Sequence, residues 1–575
     1  MVILSALLLG LQGQKISAEF DLTPVPVVIQ SLAKSSGQKL LASNAFKDRK
    51  LTIFAKDQTL EATMDAIAAA LDAKWYTNSD GSKTLTVDGD LEQKAKSYVA
   101  LEERLTREST VRELKKMLDL ARKMPEPEIK PNGRSGPGVE GNTVNIQRQG
   151  GMTQDQSLKL YPVQWKAMAK LPGTTIDSMI RGKIVVLSGN HGNALHKIIR
   201  QFDSSGSRAD DEQGIVAFAW LNYDRGAIDV RTFIPTKDGS MSSRFSLTIM
   251  TTDAQKLRGD ELDVHPFAAH LRPYQDGYMG SALKIEKKDF LPRFGPDKWT
   301  LSDHLKYVYL TTGQPVVAEA FRRPSRFQGP PPASDLPGYL NALSNKTSGW
   351  FKNQQGFVVA KQPEYWQLRP MEIPESVLLP IEAEATKRQL LLEDYANFLG
   401  NLNDDQLEGL DARRLISSLD IEELPPDIQS LLRFYGSLSQ AQRTSLVKDG
   451  VLATGMLSQQ VNFANYAIRS GIQNNGQPSG TFFGVLDQFT IWPDSPLAVN
   501  CKISTSIASF ITMDQDGDGP PRRKEGVKPV TTFDFHFDDK GSFTIGADFA
   551  LNLVEVKKVL DFIKQREAEK AKIGS

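Results

Sequence analysis

The sequence predicts a multidomain α+β protein. Its 575 residues are typical of about three to five domains. A unit of strands and helices about seventy residues long occupies residues 19–90 and returns in altered form at residues 296–372. The remainder separates into helical and β-rich stretches. With 40% hydrophobic and 24% charged residues, the composition favours soluble globular domains with real cores.

Residues 1–18 are predicted to be a signal peptide. The apolar run at 2–11 is too short to span a bilayer but has the length of a signal-peptide core, and Gly13 or Ala18 offers a small residue for cleavage. The positive charge expected before such a core is absent, which predicts that the true start lies upstream. The alternative is a buried N-terminal strand or helix. No other apolar run reaches the length of a transmembrane helix.

The unit at 19–90 reads as strand, helix, strand, strand, helix and hairpin. Apolar residues alternate at 16–22, as in a strand with one buried face. Pro24 opens an amphipathic helix that Gly37 ends, and a second helix follows Thr59. The remaining strands are predicted at 39–42, 51–54 and 84–87, the last after a turn at Asp80-Gly81.

The unit at 296–372 repeats this order in degenerate form. Thr312-Gly313-Gln314 ends a helix as Ser36-Gly37-Gln38 does, and the strand at 315–318 matches 39–42. A proline-rich insert at 324–332 replaces part of the middle. Trp350-Phe351 matches Trp75-Tyr76, and Gln355-Gly356 forms the turn of the closing hairpin. The alternative is that any helix–strand–helix–hairpin unit produces such a pattern.

This order of elements resembles the secretin/TonB short N-terminal domain, a module of secretins and TonB-dependent transducers. The two copies cover about a quarter of the chain. The resemblance implies docking to inner-membrane or periplasmic components of the bacterial envelope, often through an exposed sheet edge. The secretin pore domain and the TonB-dependent barrel have no counterpart in the sequence. We therefore expect a docking role rather than a channel, with a role as an accessory of a pore as the alternative.

The other segments alternate between helix and strand. Leucines spaced through 91–123 predict a helix, and the proline- and glycine-rich segment 124–157 a flexible linker. The β-rich block 158–295 contains strands at 214–221, 227–234 and 243–250, an expected antiparallel meander. A helical region at 373–475, a second β-rich block at 476–550 and a charged amphipathic helix at 551–575 follow.

The whole arrangement resembles a tandem duplication. Each copy of the unit is followed by helices and then strands, and the phrases at 160–173 and 438–450 correspond. Both phrases are short helices that end at glycine, which is also a common way to end any helix.

One motif predicts a calcium site. Asp514, Asp516 and Asp518 precede Gly519, and Glu525 follows six residues later, which is the spacing of an EF-type loop. Alternate carboxylates converge on a hard cation, and the late glutamate adds oxygens. Pro520, Pro521 and the following basic residues depart from that loop, and the flanks read as strands. The alternative is an acidic turn between strands.

Composition excludes several function classes. Lys plus Arg equals Asp plus Glu at 69 each, which disfavours a nucleic-acid-binding surface. Cys501 is the only cysteine, so disulfides within the chain and multi-cysteine metal sites are impossible; we expect a buried, inert thiol. The six histidines form no metal-ligand pattern, and no catalytic or cofactor-binding motif is present.

The sequence therefore favours an exported, non-enzymatic envelope protein. Its expected role is binding, docking or structural support, linked to secretion, pilus or outer-membrane transport machinery. One alternative is an exported hydrolase acting on polysaccharide or peptidoglycan, whose paired carboxylates need not be adjacent in sequence. Another is a calcium-stabilised structural or surface protein.

Overall fold

A computed structural model describes residues 15–125, 158, 162–189, 215–223, 227–235, 241–250, 260–411, 426–449, 451–453, 500–514, 522–536 and 542–573. These residues form two units. The first takes the described residues within Met1–Leu101, Asp260–Arg388 and Leu402–Leu424. The second takes those within Glu102–Gly259, Gln389–Asn401 and Pro425–Ser575. Helices and small sheets occur in both, which confirms the multidomain α+β class.

The first copy of the repeated unit has the predicted order of elements. These are β1 (Lys15–Pro24), α1 (Val25–Ser36), β2 (Leu40–Ala42), β3 (Lys50–Thr59), α2 (Leu60–Leu71), β4 (Ala73–Thr77) and β5 (Lys83–Val87). Thr59 caps α2, because its hydroxyl accepts from the Ala62 N–H at 3.2 Å. Strand β1 begins at Lys15, so residues 15–18 lie in a strand rather than before the module. The rest of the predicted signal peptide, residues 1–14, lies outside the described residues.

The next segment consists of helices and one antiparallel meander. The helix α3 (Gly89–Lys123) is followed by α4 (Pro162–Ala169), α5 (Gly173–Ile180), β6 (Val185–Gly189), β7 (Ile215–Asn222), β8 (Ala227–Pro235), β9 (Met241–Met250), α6 (Asp260–Asp263) and α7 (Pro266–Gln275). The sheet order β6-β7-β8-β9 is antiparallel throughout, as predicted. Nearly all of the predicted linker, from residue 126, lies outside the described residues.

The second copy has the predicted helix, strand, helix and hairpin. Its elements are α8 (Leu301–Thr312), β10 (Val316–Ala320), α9 (Leu336–Asn345), β11 (Trp350–Gln354) and β12 (Phe357–Lys361). Positive φ angles of 50° at Gln355 and 85° at Gly356 form the predicted two-residue hairpin turn.

The chain closes with helices and a second meander. The elements are α10 (Tyr365–Met371), α11 (Glu375–Ala385), α12 (Leu392–Gly400), α13 (Asp404–Asp411), α14 (Pro426–Ser437), α15 (Gln440–Asp449), β13 (Val451–Ala453), β14 (Asn500–Asp514), β15 (Arg522–His536), β16 (Ser542–Ala547) and α16 (Leu553–Ile573). None of the helices that the structure describes is both long and apolar enough to cross a bilayer.

The two copies share their strand order. In the first, β2 runs parallel to β5 and β4 antiparallel to it. In the second, β10 runs parallel to β12 and β11 antiparallel to it. In the first copy Trp75 pairs with Leu85, and both side chains pack against the helices of that copy. In the second copy the equivalent residue is Phe351, which pairs with Ala360 and packs against the helices of the second copy. The match of Trp350 to Trp75 is therefore wrong by one residue.

The helix ends repeat at the level of single hydrogen bonds. Gly37 ends α1 with φ 67° and Gly313 ends α8 with φ 71°. The Ser36 hydroxyl donates to Leu32 O at 2.6 Å and accepts from the Gln38 N–H. The Thr312 hydroxyl donates to Val308 O at 2.7 Å and accepts from the Gln314 N–H. The first helix of each copy therefore ends in the same way, and the common origin of the copies stays a prediction.

The copies are joined through one sheet. Strand β3 of the first copy pairs antiparallel with β10 of the second, from Lys50 with Ala320 to Phe54 with Val316. The result is a five-stranded sheet of order β1-β3-β10-β12-β11, beside the separate three-stranded sheet β2-β5-β4. One copy therefore adds its strands to the edge of the other.

The first unit is layered. Helices α1 and α2 pack between the three-stranded sheet and one face of the five-stranded sheet, in a core that includes Leu32, Ile67, Leu85, Val317 and Val359. Helices α8 and α9 cover the opposite face of the five-stranded sheet, which carries alternate residues of the same strands. Strands β10 and β12 are buried on both faces, so they read as continuous apolar runs.

The second unit contains both meanders, and they share a strand order. The sheet β13-β14-β15-β16 is antiparallel and sequential, like β6-β7-β8-β9. A pair of helices precedes each sheet, namely α4 and α5 in one case and α14 and α15 in the other. By this order α15 corresponds to α5, so the predicted match of the phrases at 160–173 and 438–450 is displaced by one helix. The matched orders favour a tandem duplication.

Candidate functional site

A groove in the first unit lies between the outer strands of its two sheets. Strand β4 forms one wall with Ala73, Lys74, Trp75 and Tyr76, and β11 contributes Lys352 and Gln354. Helix α2 supplies the floor through small side chains and Asp65. This inter-sheet groove is open to solvent and holds about 520 Å³, which is within the range of ligand sites. A smaller cavity of about 290 Å³ adjoins it, and Lys352 lines both.

The β4 wall presents unpaired main-chain groups. The Asn78 N–H donates to Ser82 O at 2.8 Å, and the Asp88 N–H donates to Asp72 O at 3.1 Å. Hydrogen-bonded pairs alternate along an antiparallel ladder, so Lys74 and Tyr76 direct their main-chain groups toward β5. Those of Trp75 and Thr77 therefore point to the open edge, where no described strand pairs with them. Such an edge is a template for another strand.

Lys352 stands on the opposite wall. Its ammonium lies 4.4 Å from the centre of the Tyr274 ring, a cation–π contact. Burial lowers the pKa of Lys352 from its usual value, and Asp72 opposes that change. Among the described residues, no carboxylate lies within ion-pair distance of the Lys352 ammonium.

An ionic cluster beneath the groove centres on Asp72. Its carboxylate accepts from Lys361 Nζ at 2.7 Å, from Arg369 Nη2 at 2.8 Å and contacts His270 Nε2 at 3.0 Å. Burial alone would raise the pKa of Asp72, but Lys361, the His270 hydrogen bond and Arg369 hold it well below its usual value. Burial in turn lowers the pKa of Lys361 to about 8. Asp72 is therefore an ionised anchor.

The cluster continues along the seam between the copies, where β3 of the first copy pairs with β10 of the second. Glu319 of β10 accepts from Arg49 Nε at 2.7 Å and from Arg369 Nη2 at 2.9 Å. Further along, Arg322 holds Glu375 and Glu382 together, and Lys50 pairs with Glu372 and Glu375. Five cations thus meet five carboxylates. Each of these buried charges has a partner, and the pairs Arg49–Glu319 and Asp72–Lys361 link the first copy to the second.

The carboxylates near the groove do not form an acid–base pair. Burial raises the pKa of Asp88, but the hydrogen bond from Lys74, the charge of Lys74 and the backbone N–H groups of Leu91 and Asp90 together lower the value overall. A general acid of a glycoside hydrolase needs a raised pKa, and both Asp88 and Asp72 have lowered ones. Asp90 pairs with Lys94 at 2.6 Å. This geometry does not favour the hydrolase alternative.

A serine–histidine contact in the second copy is structural. His304 Nε2 lies 3.0 Å from Ser325 Oγ, and His304 Nδ1 lies 2.9 Å from Tyr339 Oη. The imidazole is fully buried in the core between α8 and α9, and burial lowers its pKa to about 3. A nucleophile and base need access to substrate. Neither cavity described above is lined by these residues.

Two of the four predicted calcium residues, Asp514 and Glu525, lie on the paired strands β14 and β15 of the second unit. Asp514 ends β14 and pairs with Arg522, whereas Glu525 pairs with Ile511. Strands flank the loop, as predicted from the sequence. Asp516 and Asp518 lie outside the described residues, and the part of the chain that is described contains no cluster of metal ligands. The calcium site stays a prediction.

Sequence reasoning missed Lys352 and Asp72, and it placed Cys501 correctly. Cys501 is buried in β14, and burial raises the pKa of its thiol. A lysine that follows two aromatic residues in a hairpin strand gives only a weak signal for Lys352. Asp72 follows a helix, where an exposed polar residue is ordinary. Its partner Lys361 is 289 positions away.

Comparison with known proteins yields no relative. No family model matches the chain, and neither the curated proteins nor the solved structures contain a match. The similarity to the secretin/TonB short N-terminal domain therefore stays a prediction from the order of elements.

Proposed function

We propose that the chain is an exported, non-enzymatic docking protein of the bacterial envelope, linked to secretion, pilus or outer-membrane transport machinery. The observation that carries this proposal is the open edge of β4 beside the inter-sheet groove. A partner strand placed there would gain main-chain hydrogen bonds, each contributing about 1 kcal/mol net. Little side-chain complementarity is needed for such pairing.

The pairing of β3 with β10 at the seam between the copies supports this mode of binding. At β3, the first copy already accepts an antiparallel strand, β10, from another module. The described residues therefore contain one completed example of strand addition, between β3 and β10, and β4 is an edge strand of its own sheet. The resemblance to a family that docks through sheet edges agrees with this arrangement.

Export adds a constraint on processing. Cleavage after Ala18 would remove residues 15–18 from β1, including Ile16 and Ala18, which are 4% and 3% exposed. Cleavage after Gly13 would leave the strand whole. We expect the mature protein to begin at Gln14, and the mass of its N-terminal peptide from the envelope fraction tests this.

Crosslinking in the native host tests the docking role. Tyr76, which is 53% exposed and lines the groove, is replaced by the photo-crosslinking residue p-benzoylphenylalanine. The matched control carries it at Phe562 of α16, another exposed aromatic position. Capture of transport, pilus or secretion components from position 76 alone is the expected result. Equal capture from both positions, or recovery of the chain uncrosslinked from the cytoplasmic fraction, would contradict the proposal.

A further inference from the structure

The two walls of the inter-sheet groove offer different chemistry. The β4 wall offers main-chain donors and acceptors at Trp75 and Thr77, as derived above. The floor consists of Asp65, Ala68 and Ala69 of α2, and the two alanines leave room for side chains. The facing wall offers the ammonium of Lys352. A ligand that fills the groove therefore meets a strand edge on one side and a positive charge on the other.

The other charges that line the groove already have partners. Lys74 pairs with Asp88 at 2.9 Å. The Asp65 carboxylate accepts from the Gln355 amide at 2.8 Å. Lys352 differs, since its ammonium stacks on the Tyr274 ring and, among the described residues, forms no ion pair; Asp72 acts on it only at longer range. A partly buried cation gains most from an anion brought by a ligand, because the surrounding protein screens it less than water does.

We propose that the inter-sheet groove binds an extended acidic segment of a partner protein, which pairs with β4 and places a carboxylate against Lys352. This inference rests on the proposed docking function and specifies its ligand. Strand β4 has five residues, so about 17 Å of partner strand can pair with it. A single small anion would use Lys352 but leave the open main-chain groups of Trp75 and Thr77 unpaired.

Peptide selection on the full-length protein tests the proposal. A displayed library of random linear nine-residue peptides is selected against the protein and against a Lys352→Met variant, in which the apolar stem of the side chain remains. We expect peptides with alternating β-branched residues and a glutamate or aspartate at a fixed position. For each selected peptide, changing that glutamate to glutamine should weaken binding about tenfold.

The variants separate charge from strand pairing. In Lys352→Met the glutamate and glutamine peptides should bind equally, whereas Lys352→Arg should restore the preference. The preference should also shrink in 0.5 M salt, because screening weakens the ion pair. Lys39→Met is the matched control. Lys39 is an exposed lysine whose partner is Asp80, and its change should leave the preference intact.

A proline on the strand edge tests the docking function itself. The Thr77 N–H points to the open edge, so Thr77→Pro removes no hydrogen bond between β4 and β5. It should abolish binding of glutamate and glutamine peptides alike, while circular dichroism and the unfolding temperature stay unchanged. If Thr77→Pro binds normally, or no peptide is selected, strand docking at β4 is wrong. If Thr77→Pro blocks binding but Lys352→Met keeps the preference, docking stands and the acidic ligand is wrong.

Discussion

Asp72 shows how one side chain fixes the relation between the copies. It adopts the left-handed conformation at the end of α2, with φ 51°, which carries its carboxylate to cations from β12 and α10. Removing one member of a buried ionic set leaves the others charged and desolvated, which costs more than the pair itself contributes. The energetic importance of Asp72 therefore lies in the charges that it neutralises.

Replacing Asp72 with asparagine should destabilise the first unit. The change keeps the shape of the side chain but leaves Lys361 and Arg369 beside a neutral group, so we expect a loss of about 3 kcal/mol. Urea unfolding measures it. Asp80→Asn is the control, because Asp80 is an exposed partner of Lys39, and its change should have little effect. Equal losses in both variants would show that the buried cluster is not the cause.

His304 should make stability depend on pH. Its folded pKa is about 3 and its unfolded pKa is about 6.5, so between these values the unfolded state binds the extra proton. Stability is therefore full above pH 6.5 and falls as the pH drops, by about 1.4 kcal/mol per unit. Hydrogen exchange in α8 at pH 4 to 6 measures this slope. In His304→Gln the slope should shrink by that amount, and an unchanged slope would contradict the assignment.

Elements follow from local sequence more closely than the site does. Gly37 and Gly313 end their helices as predicted, because a left-handed residue closes each one. The meander strands and the long helix α3 also lie where their periodicity placed them. The register of Trp350 failed, since period-two alternation does not show which face meets the copy's own helices when both faces are buried. The groove was invisible for a similar reason, because β4 and β11 are distant in sequence.

The two glycines should be equally costly to replace. A methyl group added at either position would have no neighbouring atom within 4 Å, so Gly37→Ala and Gly313→Ala meet only the backbone penalty of a left-handed residue. We expect each to lower stability by about 1–2 kcal/mol. Thermal unfolding measures this. Gly89→Ala, at the start of α3 and equally open, is the control and should be neutral or stabilising. A neutral Gly313→Ala would remove the parallel between the copies.

The hairpin of β14 and β15 carries the calcium prediction. Arg522 pairs with Asp514, whereas Glu525 lies three residues further along β15 and pairs with Ile511. Three residues span about 10 Å along a strand, so Glu525 lies far from Asp514. If calcium binds through the three aspartates, Asp516→Asn should weaken it strongly, whereas Glu525→Gln should change the affinity less than twofold. Titration calorimetry with millimolar calcium measures both. Absence of heat in the unmodified protein would remove the site.

At the scale of the whole molecule, the seam joins segments that the chain separates widely. Asp72, Arg49 and Lys50 come from the first copy, and they pair with Lys361, Glu319 and Glu375, which lie in the second copy or in the helix after it. Sequence patterns report local periodicity, so they predicted two modules but not their shared sheet. The sequence also did not predict that these charged residues are buried, because each of them is typical of a surface residue in its own segment.

The two copies should open as one cooperative unit. Val317 of β10 is buried in the core that contains the helices of the first copy. Val317→Ala should therefore lower the free energy of unfolding by about 2 kcal/mol. Hydrogen exchange should then quicken in β3 as well as in β10. Val27→Ala is the control, because Val27 is 50% exposed, and it should leave both strands unchanged. Faster exchange in β10 alone would show that the copies open separately.

Because the five-stranded sheet contains strands from both copies, it cannot be completed until the second copy has been synthesised. Strand β3 ends at Thr59, and its partner β10 ends at Ala320, so about 260 residues separate them; at translation rates of 5–20 residues per second this is roughly 13–50 s. During that interval the edge of β3 that pairs with β10, and the side of α2 that packs against β10 and β12, have no partner. The nascent first copy therefore exposes hydrophobic surface for a much longer time than a single domain of its size would. We expect this segment to be the one that a chaperone binds during synthesis.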